Sequence, residues 1–322
     1  MIEMPVFENE DWYLETIKDL LADKRCKNKQ DLQNSLDIIN ATLAQVIGEQ
    51  DFSDEIKKYS LFEKLILAPY KDLKNIYEKI KNNAEKTFFK AAVDGKEKRE
   101  LKEEWKKIYG IYDKFVREKK NIELVRKYGI KSCPYCNANY IMNRGREYAT
   151  AQLDHFYPRD KFPIFAVSLY NLVPVCSACN HIKSKNVIGL SPHDHSRNFS
   201  NMKISYVPHS AAWLENADEI EVNFIYNEKD AEFTKDMGLN VEMLTILPLY
   251  NEYKDYIQEL LKKSQIYNKE RREDLLQEFP QLFSSEEEVL RIVFGNYIET
   301  KDFLKRPLSK LTQDLLRELE VI

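Results

Sequence analysis

The sequence predicts a mainly helical fold of the α+β class, with helical N- and C-terminal regions around one small strand–strand–helix core. Three observations predict it. Only eight glycines occur in 322 residues while 32% of residues are charged, and that balance, in stretches rich in Lys, Glu, Leu and Ile, favours helix. Apolar residues recur at i, i+3, i+4 and i+7 through both ends of the chain. Four of the five cysteines fall as two CxxC pairs around a stretch with strand-like patterning. The organisation read from this is a helical region at 1–130, a core at 131–200, and a strand pair followed by helices at 201–322.

In the first region Leu36, Ile39, Leu43, Val46 and Ile47 keep helical spacing. So do Leu61, Leu65, Tyr70, Leu73, Ile76, Tyr77 and Ile80, with Pro69 inside the run. A charged run at 94–104 precedes an amphipathic segment in which Trp105, Ile108, Tyr109, Tyr112, Phe115 and Val116 share a face. Aromatics at that spacing are more often packed core than a platform for bases. The run 106–131 is basic, carrying Lys106, Lys107, Lys114, Arg117, Lys119, Lys120, Arg126, Lys127 and Lys131, and it leads into the first CxxC pair. For each of these residues a solvated helix face and a nucleic-acid groove are equal readings.

The core is built around Cys133/Cys136 and Cys176/Cys179. Paired CxxC knuckles at this separation read as a tetrahedral four-cysteine site for structural zinc, which suits thiolates and has no redox chemistry. Residues 140–142 and 150–156 read as short strands split by the turn-forming Asn143, Arg144, Gly145 and Arg146. Residues 171–176 read as a further strand, and 177–183 as the start of a helix with Ser177 as its N-cap. This is strand, loop, strand, helix.

In type, order and spacing the CPYC knuckle, the LDHFYP segment, Asn171 in YNLVPVC and the CSACNHIKSKN helix start resemble the zinc-stapled, ββα-metal subgroup of the HNH endonucleases. The resemblance covers about 55 residues. It implies a small ββα-metal HNH core with four roles: His155 as general base, Asp154 and Asn180 as ligands of a catalytic Mg²⁺ or Mn²⁺, and Asn171 as the residue that holds the loop and orients His155. Asn at 180, where many members have His, leaves two protein ligands, a set suited to ions that keep several waters. An imidazole with a pKa near 6.5 is a competent base at neutral pH, and a divalent ion stabilises charge developing at phosphate. Arg159, Lys183 and Lys185 are candidates for contacts with neighbouring phosphates, against the reading of lysines on a solvated helix face. His181, about 100° around the helix from Asn180, packs or contacts substrate. The stretch also resembles HNH nuclease subunits of bacterial anti-phage systems, those of the Septu type among them. That implies an effector nuclease working beside an ATPase partner on DNA, duplex most of all. A lone HNH site cuts one strand, so homodimerisation is a further expectation. Two other readings stay open: an RNA-directed nuclease with the same site, and a non-catalytic zinc finger that binds nucleic acid or protein.

Beyond the core, Ser191-Pro192-His193-Asp194-His195 reads as a surface loop in preference to a second metal site. Residues 203–207 and 219–226 alternate as strands, with Ile220, Val222 and Phe224 on one face. Leu249, Tyr253, Tyr256, Ile257, Leu260 and Leu261 form an apolar stripe. Ser285 with Glu288 opens a helix as a capping box, and Pro307 opens the last one, with Leu308, Leu311, Leu315 and Leu319 inward.

A formal net charge of -4 excludes coating nucleic acid by bulk charge, so binding needs a local patch. The N-terminus, MIEMPVFENEDWY, lacks the basic start and apolar run of a signal peptide, and no segment has the length and apolarity of a membrane span. Four metal-spaced cysteines and one odd one, Cys26, fit a reducing compartment better than a disulfide scaffold. The expected location is cytoplasmic.

Overall fold

The computed structural model describes residues 1–21, 29–91, 100–145 and 147–322. Cys26, Arg146 and the 94–99 part of the charged run lie outside the described residues. The described residues are mostly helical, with two antiparallel sheets of two strands each. The chain forms two compact units that do not follow chain order. One comprises Val6–Gly129 and Asn143–Val187, the other Met1–Pro5, Ile130–Met142 and Ile188–Ile322.

The first unit holds α1 (Glu10–Leu21), α2 (Lys29–Leu43), α3 (Leu61–Leu67), α4 (Tyr70–Ile80), α5 (Ala84–Phe88), α6 (Glu103–Arg117) and α7 (Lys120–Tyr128). It also holds β1 (Gln152–His155), β2 (Leu172–Val175) and α8 (Ser177–Lys183). Pro69 divides what periodicity alone reads as one helix, ending α3 and preceding Tyr70, the first residue of α4, because proline has no amide hydrogen for the helix and clashes with the preceding turn. The α6 stripe buries Trp105, Ile108, Tyr112 and Phe115, whereas Val116 is exposed and Tyr109 only half-buried. Gly129 takes φ 68 and stops α7, a left-handed position that glycine adopts without steric cost.

The strand–strand–helix order expected at 150–183 is present. β1 and β2 pair antiparallel with Asp154 opposite Val173 and His155 opposite Leu172. All four β2 residues are buried, including Pro174, which a two-stranded sheet tolerates because its missing donor faces no third strand. The N-cap of α8 is Cys176, not Ser177, which is the first helical residue. The chain at 140–148 makes only isolated bridges, Ser132 to Tyr140 and Arg144 to Tyr148, in place of an extended strand.

The second unit contains β3 (Met202–Pro208), β4 (Ile220–Tyr226), α9 (Ala231–Met243), α10 (Ile246–Asn251), α11 (Lys254–Ile266), α12 (Lys269–Glu278), α13 (Glu286–Phe294) and α14 (Ser309–Glu318). The expected strand pair forms, with Ile220 and Val222 buried. The apolar stripe through 249–261 is interrupted, since α10 ends and α11 begins within it. Ser285 caps α13 by accepting from Glu288 N–H, but the Glu288 carboxylate returns to Ser284 rather than Ser285. The segment 191–195 has no regular structure, yet Ser191, His193 and Asp194 are buried, so it is not a surface loop.

α14 departs most from its sequence pattern. Leucine spacing predicts one inner face, but residues 309–316 are buried on every side. The helix packs against β3, and its polar side chains are satisfied internally. Lys310 Nζ donates to Asp314 Oδ2 at 2.9 Å, and the same oxygen accepts from Ile204 N–H at 2.9 Å. Removing one member of a buried pair leaves the other charge without compensation, at a cost of about 3–5 kcal/mol. Asp314→Ala is therefore expected to lower the urea midpoint strongly, while Lys310→Met with Asp314→Leu lowers it much less. Equal losses in the two proteins, followed by circular dichroism, would refute this account of α14.

Candidate metal centre and active site

The first knuckle is a tight turn fixed by hydrogen bonds. Asn137 sits at φ 51 and its N–H donates to Cys133 O at 2.7 Å. Ala138 N–H donates to Cys136 Sγ at 3.4 Å, a contact that favours a thiolate over a thiol. The Asn137 side chain is fully buried, donating to Ser132 Oγ at 3.0 Å and Phe303 O at 2.9 Å while accepting from Lys310 N–H at 3.1 Å. Tyr250 Oη donates to Cys136 O at 2.7 Å. In the second knuckle Cys176 follows β2, and Cys179 lies in the first turn of α8. The four Sγ atoms lie within 4.8 Å of one another, and all four residues are buried. Tetrahedral thiolates bonded at about 2.3 Å place their sulfurs about 3.8 Å apart, so these cysteines are positioned to hold a metal ion. Among the described residues His193, Asp194 and His195 form no such cluster.

α8 lies on β1 through two side chains three residues apart on the helix. Asn180 Nδ2 donates to Gln152 Oε1 at 2.7 Å, and Lys183 Nζ donates to Asp154 Oδ1 at 3.0 Å and His155 O at 2.9 Å. Gln152 and Asp154 share one strand face and positions 180 and 183 one helix face, so Asn180 and Asp154 belong to the same layer. Lys183, expected to meet phosphate, is instead fully buried as the partner of Asp154. Burial holds its ammonium below the usual lysine range although the Asp154 carboxylate works in the opposite direction.

His155 is turned to other partners. Its Nε2 lies 3.0 Å from Ala166 O, and its ring meets Tyr112 of α6 edge-on at 4.4 Å. A carbonyl only accepts, so Nε2 carries the hydrogen and the lone pair of the neutral ring is on Nδ1. Burial, first, then the positive charges of Arg159 and Lys183 push the His155 pKa down to about 3, against the Ala166 carbonyl. The ring is therefore neutral at physiological pH. Asn171 holds the loop that carries Ala166: its Oδ1 accepts from Tyr157 N–H at 2.8 Å, and its Nδ2 donates to Tyr157 O and Phe165 O, both at 3.1 Å.

Next to this group is a cleft of about 380 Å³ whose wall includes Tyr109, Arg159, Asp160, Lys161 and Lys185. Two of the three residues expected to meet phosphate, Arg159 and Lys185, are thus brought together, and the third is not. The Arg159 guanidinium lies over the rings of Tyr109 and Tyr112 at 4.5 and 4.6 Å and donates through Nη1 to Asp113 at 2.7 Å. Lys185 pairs with Asp160 at 2.7 Å, and Tyr109 Oη donates to the same carboxylate at 2.9 Å. His181 is exposed on α8. Sequence reasoning missed Tyr109 and Lys161 as cleft residues. The signal for Lys161 was its place in the Arg159-Asp160-Lys161 run directly after the DHFYP segment.

A metal ion held by the knuckles would contribute folding free energy. Cys176→Ser is expected to lower both the melting temperature and the bound zinc measured by plasma mass spectrometry, whereas His155→Ala leaves zinc content unchanged. Equal zinc loss in both variants would show that the two sites are not separate. Comparison with protein-family models, with curated proteins and with solved structures finds no match to this chain.

Proposed function

We propose that this chain is a metal-dependent endonuclease of the HNH type that hydrolyses phosphodiester bonds in DNA, with structural zinc on Cys133, Cys136, Cys176 and Cys179. The observation that carries the reading is the state of His155: a neutral imidazole, tied through Nε2 to Ala166 O by a loop that Asn171 braces, with the proton-accepting Nδ1 meeting no partner among the described residues. Structural histidines are commonly satisfied at both nitrogens; a general base keeps one lone pair available.

The donor set fits a hard divalent ion. Asn180 uses its Nδ2 on Gln152, which leaves the amide oxygen as a ligand atom, and Asp154 supplies a carboxylate, so the two would hold Mg²⁺ or Mn²⁺. Such an ion would supply positive charge for the phosphate oxygens as the bond breaks. The chain's own residues do the rest. His155 Nδ1 takes a proton from the water that attacks phosphorus, the P–O bond opposite the incoming oxygen breaks, and the departing sugar oxygen takes a proton from solvent. Asn171 braces the loop that carries the Ala166 carbonyl, and hence the ring, and Lys183 holds the Asp154 carboxylate in place. Arg159 near the imidazole attracts the phosphate, and the anion that it binds offsets that guanidinium's share of a depression caused first by burial.

The likeness of the core to HNH subunits of anti-phage systems, not the geometry, carries the cellular part of the proposal: an effector nuclease acting with an ATPase partner or as a homodimer. A second reading, a non-catalytic zinc-stapled binding module, draws on the burial of Asp154 against Lys183, an arrangement that also suits a purely structural pair.

Supercoiled plasmid with Mg²⁺ or Mn²⁺ separates the two. His155→Ala is expected to lower nicking by about 10²- to 10⁴-fold, with melting temperature retained. A wild-type protein that leaves plasmid, single-stranded DNA and RNA intact with either metal supports the binding module instead.

A further inference from the structure

The cleft near His155 is lined by both cations and apolar side chains. Arg159, Lys161 and Lys185 line it together with Lys106, which is already paired with Glu100 and Glu103, and Asp160 is the lone lining carboxylate. Asp160 is already engaged by Lys185 and Tyr109. Lys161 is half-buried and makes no ion pair among the described residues, although its charge is close enough to act on Lys183. Arg159 spends one nitrogen on Asp113 and keeps Nη2 and Nε for another acceptor. Positive charge gathered in this way, in a chain whose net charge is -4, calls for an anion. The same cleft is also lined by Phe89, Leu101 and Tyr109, the Tyr109 ring lying under the Arg159 guanidinium at 4.5 Å. No simple phosphate site needs such side chains.

A ligand with both an anionic edge and a flat apolar body is a nucleotide. In a duplex the bases are stacked and paired, presenting only their edges, so a base reaches such side chains only when it is out of the stack. The volume, about 380 Å³, lies in the range of small-ligand pockets. A single aromatic ring, Tyr112, touches both the Arg159 guanidinium and the His155 imidazole, so one ring separates a cation of the cleft from the proposed base.

We propose that this cleft receives an unpaired nucleotide of the strand being cut, its phosphates on Arg159, Lys161 and Lys185 and its base against Phe89, Leu101 and Tyr109. The protein then selects single-stranded or locally unpaired DNA over continuous duplex, a selectivity that rests on the nuclease reading above. An acidic peptide would satisfy the cations and leave the apolar side chains unused.

The test uses the full chain carrying His155→Ala, without added magnesium, and the fluorescence anisotropy of a labelled 15-nucleotide strand and of its blunt duplex across a salt series. The single strand is expected to bind about tenfold tighter than the duplex, in keeping with stacking of one base. Lys161→Gln is expected to reduce the slope of log K against log salt for the single strand by about 0.7, one phosphate contact. Tyr109→Leu should weaken single-strand binding about fivefold or more, with both melting temperatures retained. Duplex binding as tight as the strand's, an unchanged salt slope in a folded Lys161→Gln protein, or displacement of the strand by hexaglutamate would each overturn the proposal. Cleavage by the unsubstituted protein reports on the other reading. Single-strand preference without cleavage of any strand removes the nuclease and keeps the cleft, whereas nicking of duplex without that preference removes the cleft alone.

Discussion

One buried ammonium holds the site together. Lys183 Nζ reaches the carboxylate of Asp154 and the carbonyl of His155 from a helix of seven residues, which joins the end of α8 to both residues on which the proposed chemistry depends. A lysine desolvated to this degree is costly unless its hydrogen bonds are made and its charge is met. Here both conditions hold, and the helix, the strand and the two site residues are therefore fixed as one object. Asn171 does the corresponding work on the other side, tying Tyr157 and Phe165 so that the Ala166 carbonyl meets the imidazole.

The electrostatics of this object cut against a free-standing base. A ring held to a pKa of about 3 is always available as a proton acceptor near neutrality but is a weak one, since acid–base catalysis is most effective when the pKa approaches the working pH. Burial is the leading cause, and Arg159 and Lys183 add to it. In the proposed mechanism a polyanion drawn to Arg159 would offset that guanidinium's share of the depression, while the larger share, from burial, would stay.

Legibility in the sequence followed the range of the interaction. The CxxC pairs and the strand–loop–strand–helix order at 150–183 are local or spaced by a rigid rule, and residue types were enough to place them, though not the N-terminal end of the helix, whose cap is Cys176. Lys183 was misread because a lysine three residues beyond Asn180 looks the same whether its helix face is wet or packed on a strand. The cleft was only half visible for a similar reason: Tyr109 reads as one more member of an apolar stripe until α6 is seen to bring it to Asp160. α14 concealed its depth in the same way. Ser309, Lys310, Thr312, Gln313 and Asp314 are surface residues by type, and only partners at distant positions, such as Ile204 and Ile298, make them core.

The bracing of the first knuckle has a bearing on biosynthesis. The turn carrying Cys133 and Cys136 is held by Phe303, Leu308 and Lys310 through Asn137, some 170 positions later in the chain. A ribosome must translate residue 310 before that brace can exist. Cys133 and Cys136 therefore emerge long before their brace does, and an ion held by them in this geometry would have to await synthesis of residue 310.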